Sequence, residues 1–277
     1  MSRIAICAPS TPFTREDAAR VIALAEAAFP QADLRFHDQC FSEHGHFAGT
    51  DDERLTAFLE CANDPGTQAV WFVRGGYGAG RIAGEAIARL GPAAGEKTYL
   101  GYSDGGMLLG ALYRAGIGRP VHGPMSGDIR RDGGEAAVLR ALGFLCGSGE
   151  GLEPDLDGRP TVAFNLMTLA MLVGTDLMPS LAGHVVLIEE VSEYLYAVDR
   201  LLFHVTAHLA PMGIAGLRLG RVSDVPENDR SFGMEPADMV RDWCARTGIA
   251  FLGRADIGHD AANKIVPFGV AGATQRP

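Results

Sequence analysis

The residues Ala69-Val70-Trp71-Phe72-Val73 form an unbroken apolar run of strand formers that collapses at once into Arg74-Gly75-Gly76-Tyr77-Gly78-Ala79-Gly80. A strand with one wet face alternates apolar and polar side chains, so a continuous run needs cover on both faces. Helices must supply that cover. The segments around it agree: Arg3 to Ala8 reads as a buried strand stopped by Pro9, and Glu16 to Phe29 sets Val21, Leu24 and Ala28 on one helical face. Thr50 and Glu53 form a capping box, which predicts a helix from Asp51 to about Asn63, before Pro65-Gly66. After the glycine-rich loop, Ile82 to Leu90 reads as helix, Thr98 to Tyr102 as strand and Met107 to Arg114 as helix. Strands alternating with helices imply an α/β fold with a mostly parallel sheet.

Between Cys146 and Pro160 the sequence CGSGEGLEPDLDGRP loses all apolar periodicity. A linker over 147–160 is expected, separating a domain of residues 1–146 from one of residues 161–277. Two units suit a chain of 277 residues, 47% of them apolar. Beyond the linker, Val162 to Leu172 and Val198 to Leu209 read as helices, and Val185 to Ile188, Leu217 to Val222, Ala250 to Leu252 and Ile265 to Phe268 as strands. Charge narrows the partners. A net charge of −10 with no block of like charges argues against a nucleic acid or an anionic membrane surface, leaving a small molecule or peptide. The apolar run at Ile4 to Ala8 is too short for a secretory core or a membrane span, so the mature protein is expected to begin near Met1. Five scattered cysteines without a C-x-x-C pair fit reduced thiols in a cytoplasm.

Gly101-Tyr102-Ser103-Asp104-Gly105 matches G-x-S-x-G at a junction of predicted strand and predicted helix. There a serine hydroxyl is held clear of the backbone, and the first turn of the helix offers unpaired N–H groups to a developing oxyanion. Ser103 is therefore the candidate nucleophile. It needs a histidine base oriented by a carboxylate. Of eight histidines, His204 and His208 share a helix face without the H-E-x-x-H signature of zinc enzymes, and His44 and His46 lie in a loop with no further ligand; no metal or cofactor is expected. His259 lies between two strand-like segments, at a sheet edge where catalytic groups concentrate. Glu189, Glu190 and Glu193 follow the apolar strand Val185 to Ile188, and spacing alone does not choose among them. A reading from another class comes from Gly78-Ala79-Gly80-Arg81-Ile82-Ala83, which fits the G-x-G-x-x-A of a nucleotide-binding module.

Five blocks in order, VRGGYGAGR (73–81), GYSD (101–104), HGPM (122–125), LIEEVSEYLYAVDRLL (187–202) and GHDAANKIVPFGV (258–270), resemble the signature blocks of the LD-carboxypeptidases. That family comprises the muramoyl-tetrapeptide carboxypeptidases and the related microcin C immunity proteins. The resemblance implies an N-terminal α/β domain carrying Ser103 and a smaller, β-rich, barrel-like C-terminal domain carrying Glu189 and His259, in a homodimer. It implies a Ser-Glu-His triad of Ser103, Glu189 and His259, with oxyanion donors at the backbone N–H of Asp104 and of Gly76, or Gly75 as second choice. The implied reaction removes the terminal D-Ala of a murein tetrapeptide from the L-centre of a dibasic residue through an acyl-enzyme. The immunity-protein branch implies an amidase of aminoacyl or acyl-sulfamoyl nucleotides instead. Arg74, or an amide of the glycine block, is the expected receptor for the substrate carboxylate, as a bidentate donor beside the oxyanion loop, and Asn165 matches the family's substrate-binding asparagine. Two departures stand out. The family's SDxT reads Ser103-Asp104-Gly105-Gly106 here, and its GGN reads Ala163-Phe164-Asn165, so Phe164 is expected to narrow or reshape the substrate pocket.

Overall fold

The computed structural model describes residues 2–270; Met1 and the end of the expected second domain, 271–277, lie outside them. The first half winds β1 (Ser2–Cys7), α1 (Arg15–Ala28), β2 (Ala32–Phe36), α2 (Asp51–Asn63), β3 (Ala69–Phe72), α3 (Ala79–Arg89), β4 (Thr98–Gly101), α4 (Gly106–Ala115), β5 (Arg119–His122) and α5 (Gly134–Leu145). The apolar run at 69–73 is buried throughout and pairs in parallel with β1 on one side and β4 on the other. Thr50 and Glu53 form the expected capping box at the start of α2. Two strands rest on tertiary pairing rather than pattern. β2 (ADLRF) and β5 (RPVH) carry too few β-formers to announce themselves, yet each completes a parallel ladder.

The second half runs β6 (Thr161–Asn165), α6 (Leu166–Leu172), β7 (Val185–Val191), α7 (Leu195–Met212), β8 (Gly216–Ser223), α8 (Pro236–Thr247), β9 (Phe251–Arg254) and β10 (Val266–Pro267). Two expectations are corrected here. Residues 162–165 are strand and not helix, because a short, fully buried apolar run has no period to separate the two, and pairing with β7 decides. Among the described residues the smaller sheet also closes no barrel: its order is β6-β7-β8-β9, parallel throughout, with α6, α7 and α8 each crossing between successive strands. Among the described residues no helix is long and apolar enough to cross a membrane.

The larger sheet has the order β10-β5-β4-β3-β1-β2, with only β10 antiparallel. Strand order reverses between β1 and β3, so the loops leaving β1, β3 and β4 diverge around a crevice at their carboxyl ends, where open α/β sheets bind ligands. One core cluster runs from Val70, Phe72 and Leu108 through Phe164 and Leu169 to Val186 and Leu202, so the two sheets share their helical middle layer. Phe164 lies in that layer. It is 1% exposed, and its ring would meet a Cβ added at Gly106 or Gly110 at 3.4 and 3.5 Å. The two departures from the family pattern therefore fit each other: bulk at 164 fills space that the glycines of α4 leave, and Phe164 does not line the cavity beside Ser103. Replacing Phe164 with Ala is expected to cost about 3–5 kcal/mol in denaturant unfolding, much more than an exposed Phe203→Ala.

Candidate active site

β4 ends at Gly101, and after Tyr102 the chain turns through Ser103 at φ +57° into a 3-10 turn, Ser103–Gly105, that runs straight into α4. A non-glycine residue there costs about 1–3 kcal/mol and must be held by its surroundings. The holding contacts are visible. A Cβ at Gly101 or Gly105 would fall 2.5 or 2.9 Å from the Phe72 ring, so the glycines of G-x-S-x-G let the elbow close onto β3. Thr168 Oγ1 donates to the Ser103 carbonyl at 3.1 Å. The carboxylate of Asp104 accepts from Ser10 Oγ at 2.5 Å and from the first N–H of α3, Ala79 N, at 2.8 Å. Burial raises the pKa of Asp104, against the pull of those two bonds. Because this carboxylate already occupies Ala79 N, that N–H is not free for a pyrophosphate oxygen, which weighs against a nucleotide bound at the start of α3.

Ser103 Oγ lies 3.0 Å from His259 Nε2, and His259 Nδ1 lies 2.6 Å from Glu189 Oε2. All three groups come from different elements: the elbow after β4, the loop after β9, and the interior of β7. Glu189 and Glu190 are both inside β7 and buried, at 0% and 2% exposure, instead of closing the strand as their sequence position suggests. Successive side chains leave a strand on opposite faces, and the register shifts between Ile188 and Glu190, so the two acids serve different partners. Glu189 meets His259. Glu190 accepts from Asn165 Nδ2 at 2.6 Å, Met167 N at 2.8 Å and Val191 N at 2.9 Å. The His259 loop is braced by Asn263, whose Oδ1 accepts from Gly258 N at 3.1 Å and lies 3.2 Å from His122 Nε2.

Electrostatics separate these groups. Burial opposes the imidazolium of His259, but the facing charge and hydrogen bond of Glu189 outweigh it, and the ring's pKa is raised. His122, which has no carboxylate partner, is pushed down by burial to about 4 and stays neutral. Glu190 is pushed up to about 7 by burial, despite its three donors.

Ser103 opens into a cavity of about 250 Å³ lined by Gly76, Asp104, Met107, Asn165, Glu190 and Glu193, among others. A larger, more open one, about 610 Å³, lies between the linker and the C-terminal sheet around Asp155, Arg218 and Arg254, and it holds no nucleophile. Gly75 is the glycine against the serine itself, since a Cβ there would stand 2.7 Å from Ser103 Oγ and 3.4 Å from Asp104 N. Asn165 caps α6, accepting from Thr168 N at 3.1 Å, while its Nδ2 holds Glu190. Arg74 does not line this cavity; its guanidinium reaches the Pro12 carbonyl at 3.5 Å. His204 and His208 face each other on α7, His46 packs on Phe47 and Tyr77, and among the described residues no group of three metal-ligating side chains occurs. Ser10, Thr168, Asn263 and His122 escaped the reading of the sequence. The Ser10–Asp104 bond joins residues 94 positions apart, and no local motif announces such a pair.

Since Glu190 holds its proton up to about pH 7 when folded and releases it near 4.5 when unfolded, its contribution to stability is lost as pH rises through that window. Urea unfolding is expected to show a fall on the order of 2 kcal/mol between pH 5 and pH 8 from this group, and Glu190→Gln should flatten it.

Residues 4–123 match the LD-carboxypeptidase N-terminal domain and residues 160–273 the LD-carboxypeptidase C-terminal domain. A putative carboxypeptidase of Synechocystis sp. is 30% identical over 81% of this chain and 75% of its own length. The murein tetrapeptide carboxypeptidase of Pseudomonas aeruginosa is 26% identical over 96% of this chain and 91% of its own. Among solved structures, the muramoyltetrapeptide carboxypeptidase from Oxalobacter formigenes superposes with a TM-score of 0.80 at 24% identity, covering 96% of this chain and 93% of that one. The microcin C7 self immunity protein MccF, in complex with aspartyl sulfamoyl adenosine, superposes at 0.78 and 18% identity over 97% and 91%.

Proposed function

The chain belongs to the LD-carboxypeptidase family and is a serine-type LD-carboxypeptidase, and from that premise we propose that Ser103, His259 and Glu189 are its nucleophile, base and acid. We take its substrate to be a murein tetrapeptide, cleaved between the L-centre of a dibasic residue and the terminal D-Ala during peptidoglycan recycling. The observation that carries this reading is the unbroken line of hydrogen bonds from Ser103 Oγ through His259 to the buried carboxylate of Glu189.

As Ser103 Oγ attacks the scissile carbonyl carbon, its proton passes to His259 Nε2, and Glu189 steadies the imidazolium and fixes the ring's orientation. The carbonyl oxygen becomes an oxyanion that accepts from the backbone N–H of Asp104 and of Gly76 or Gly75. Collapse of the tetrahedral intermediate returns the proton from His259 to the leaving nitrogen, and D-Ala departs from an acyl-Ser103. Water, deprotonated by the same imidazole, then releases the shortened peptide. A cytoplasmic location is supported by five thiols that are all unpaired, and a homodimer by the family resemblance. The second reading, an amidase of aminoacyl-sulfamoyl nucleotides, draws on Tyr77, an exposed aromatic residue among those lining the cavity, against which a base could stack.

Incubation with murein tetrapeptide and, separately, with an aminoacyl-sulfamoyl adenosine is expected to release D-Ala from the first, and Ser103→Ala should abolish both that release and labelling by a fluorophosphonate. Cleavage of the nucleotide conjugate alone would overturn the substrate assignment. Because a base must be neutral and the pKa of His259 is raised above 6.5, kcat/KM should rise with pH through a midpoint above that value. Glu189→Gln removes the charge that sustains the shift, so the midpoint should move down while kcat falls roughly 10³- to 10⁴-fold.

A further inference from the structure

The proposed mechanism fixes which side of Ser103 each half of the substrate occupies, and a division of the site into two subsites rests on that mechanism. The leaving nitrogen takes its proton from His259 Nε2, so the leaving amino acid lies on the His259 side. The acyl group stays on Ser103 and extends into the cavity, whose lining excludes both His259 and Arg74.

The two sides differ in charge. The cavity carries Glu190 and Glu193, and none of its lining residues is basic. On the other side three guanidiniums gather: Arg131 reaches Tyr102, whose ring lies 4.8 Å from that of His259, and Arg74 packs on Gly127, in the same turn, Ser126–Arg130, that carries Arg130. Two of the three have a counter-charge. Arg130 pairs with Asp17 at 2.5 Å and Arg131 with Asp128 at 2.7 Å, also reaching Tyr102 Oη at 3.4 Å. Among the described residues Arg74 pairs with no carboxylate, and it meets only the Pro12 carbonyl at 3.5 Å. Burial and the two neighbouring cations lower its pKa, and no acid acts in the opposite direction. A partly buried cation held between cations is unfavourable on its own and becomes favourable when an anion arrives.

We propose that Arg74 receives the terminal carboxylate of the leaving amino acid, so that Ser103 stands on a charge boundary with an anion-binding subsite behind His259 and a cation-tolerant acyl cavity in front. Arg74 directly precedes Gly75, the residue packed on Ser103 Oγ. A carboxylate on its planar fork therefore holds the leaving group in register with the nucleophile. Endopeptidase activity is disfavoured by the same arrangement, since an internal peptide bond offers this cation no charge.

The test uses the full chain and two probes, a murein tetrapeptide as the free acid and the same peptide as its C-terminal amide. The wild type should show a KM roughly 10- to 100-fold lower for the acid. Arg74→Ala should erase that discrimination by raising the KM of the acid towards that of the amide, and Arg74→Lys, which keeps the charge without the fork, should restore part of it. Arg74→Lys also carries the test should Arg74→Ala fail to fold or to label with a fluorophosphonate. Equal loss on acid and amide in the variants, or no discrimination by the wild type, would overturn the proposal while the hydrolase reading stands. A wild type that cleaves neither probe, releasing neither D-Ala from the acid nor D-alaninamide from the amide, would instead overturn the substrate reading, and the subsite with it.

Discussion

The hydrogen bond between Ser103 and His259 joins residues 156 positions apart and crosses the seam between the two sheets, so its length reports how well the two halves are aligned. An error of about 1 Å in such a pair is enough to spoil proton transfer. The seam is accordingly built as core. Phe164 packs against the glycines of α4, Thr168 reaches across to the Ser103 carbonyl, and β10 returns from the second half to pair antiparallel with β5, Val266 opposite His122. The loop between β9 and β10 is thereby pinned at both ends, and His259 lies in it.

A second constraint is the left-handed backbone at Ser103. It persists because the surroundings leave no alternative: Phe72 fills the space beneath Gly101 and Gly105, Gly75 closes over the side chain, and Asp104 ties the elbow to the β1 loop and to the start of α3. The same carboxylate takes the first N–H of α3, at the end of a glycine-rich loop that resembles a nucleotide fingerprint. Its glycines serve close approach to Ser103 and to Thr11, which bonds the Gly75 carbonyl at 2.6 Å.

The pair Glu189 and Glu190 shows how adjacent residues of one type acquire different chemistry. One faces an imidazole and raises its basicity; the other is enclosed by an asparagine and two backbone amides and is driven towards its neutral form by burial. Sequence position is nearly identical for the two. What separates them is the alternation of a strand and the register shift after Ile188.

The α/β class, the parallel strands on either side of the apolar run at 69–73, the capping box at Thr50 and the candidates Ser103 and His259 were all legible in the chain, because each rests on local sterics and hydrogen bonding within a few residues. The choice among Glu189, Glu190 and Glu193 came from family blocks and not from local pattern. The strand at 161–165, the open second sheet, the burial of Phe164 against α4 and the partners Ser10, Thr168 and Asn263 were not legible. Those features depend on which surfaces meet across the seam, and contacts between residues tens to more than a hundred positions apart leave no periodicity for a sequence to display. The chain by itself supplies the candidate nucleophile Ser103 and its turn; only tertiary packing brings His259 and Glu189 to it and lines the cavity beside it with Glu190 and Glu193.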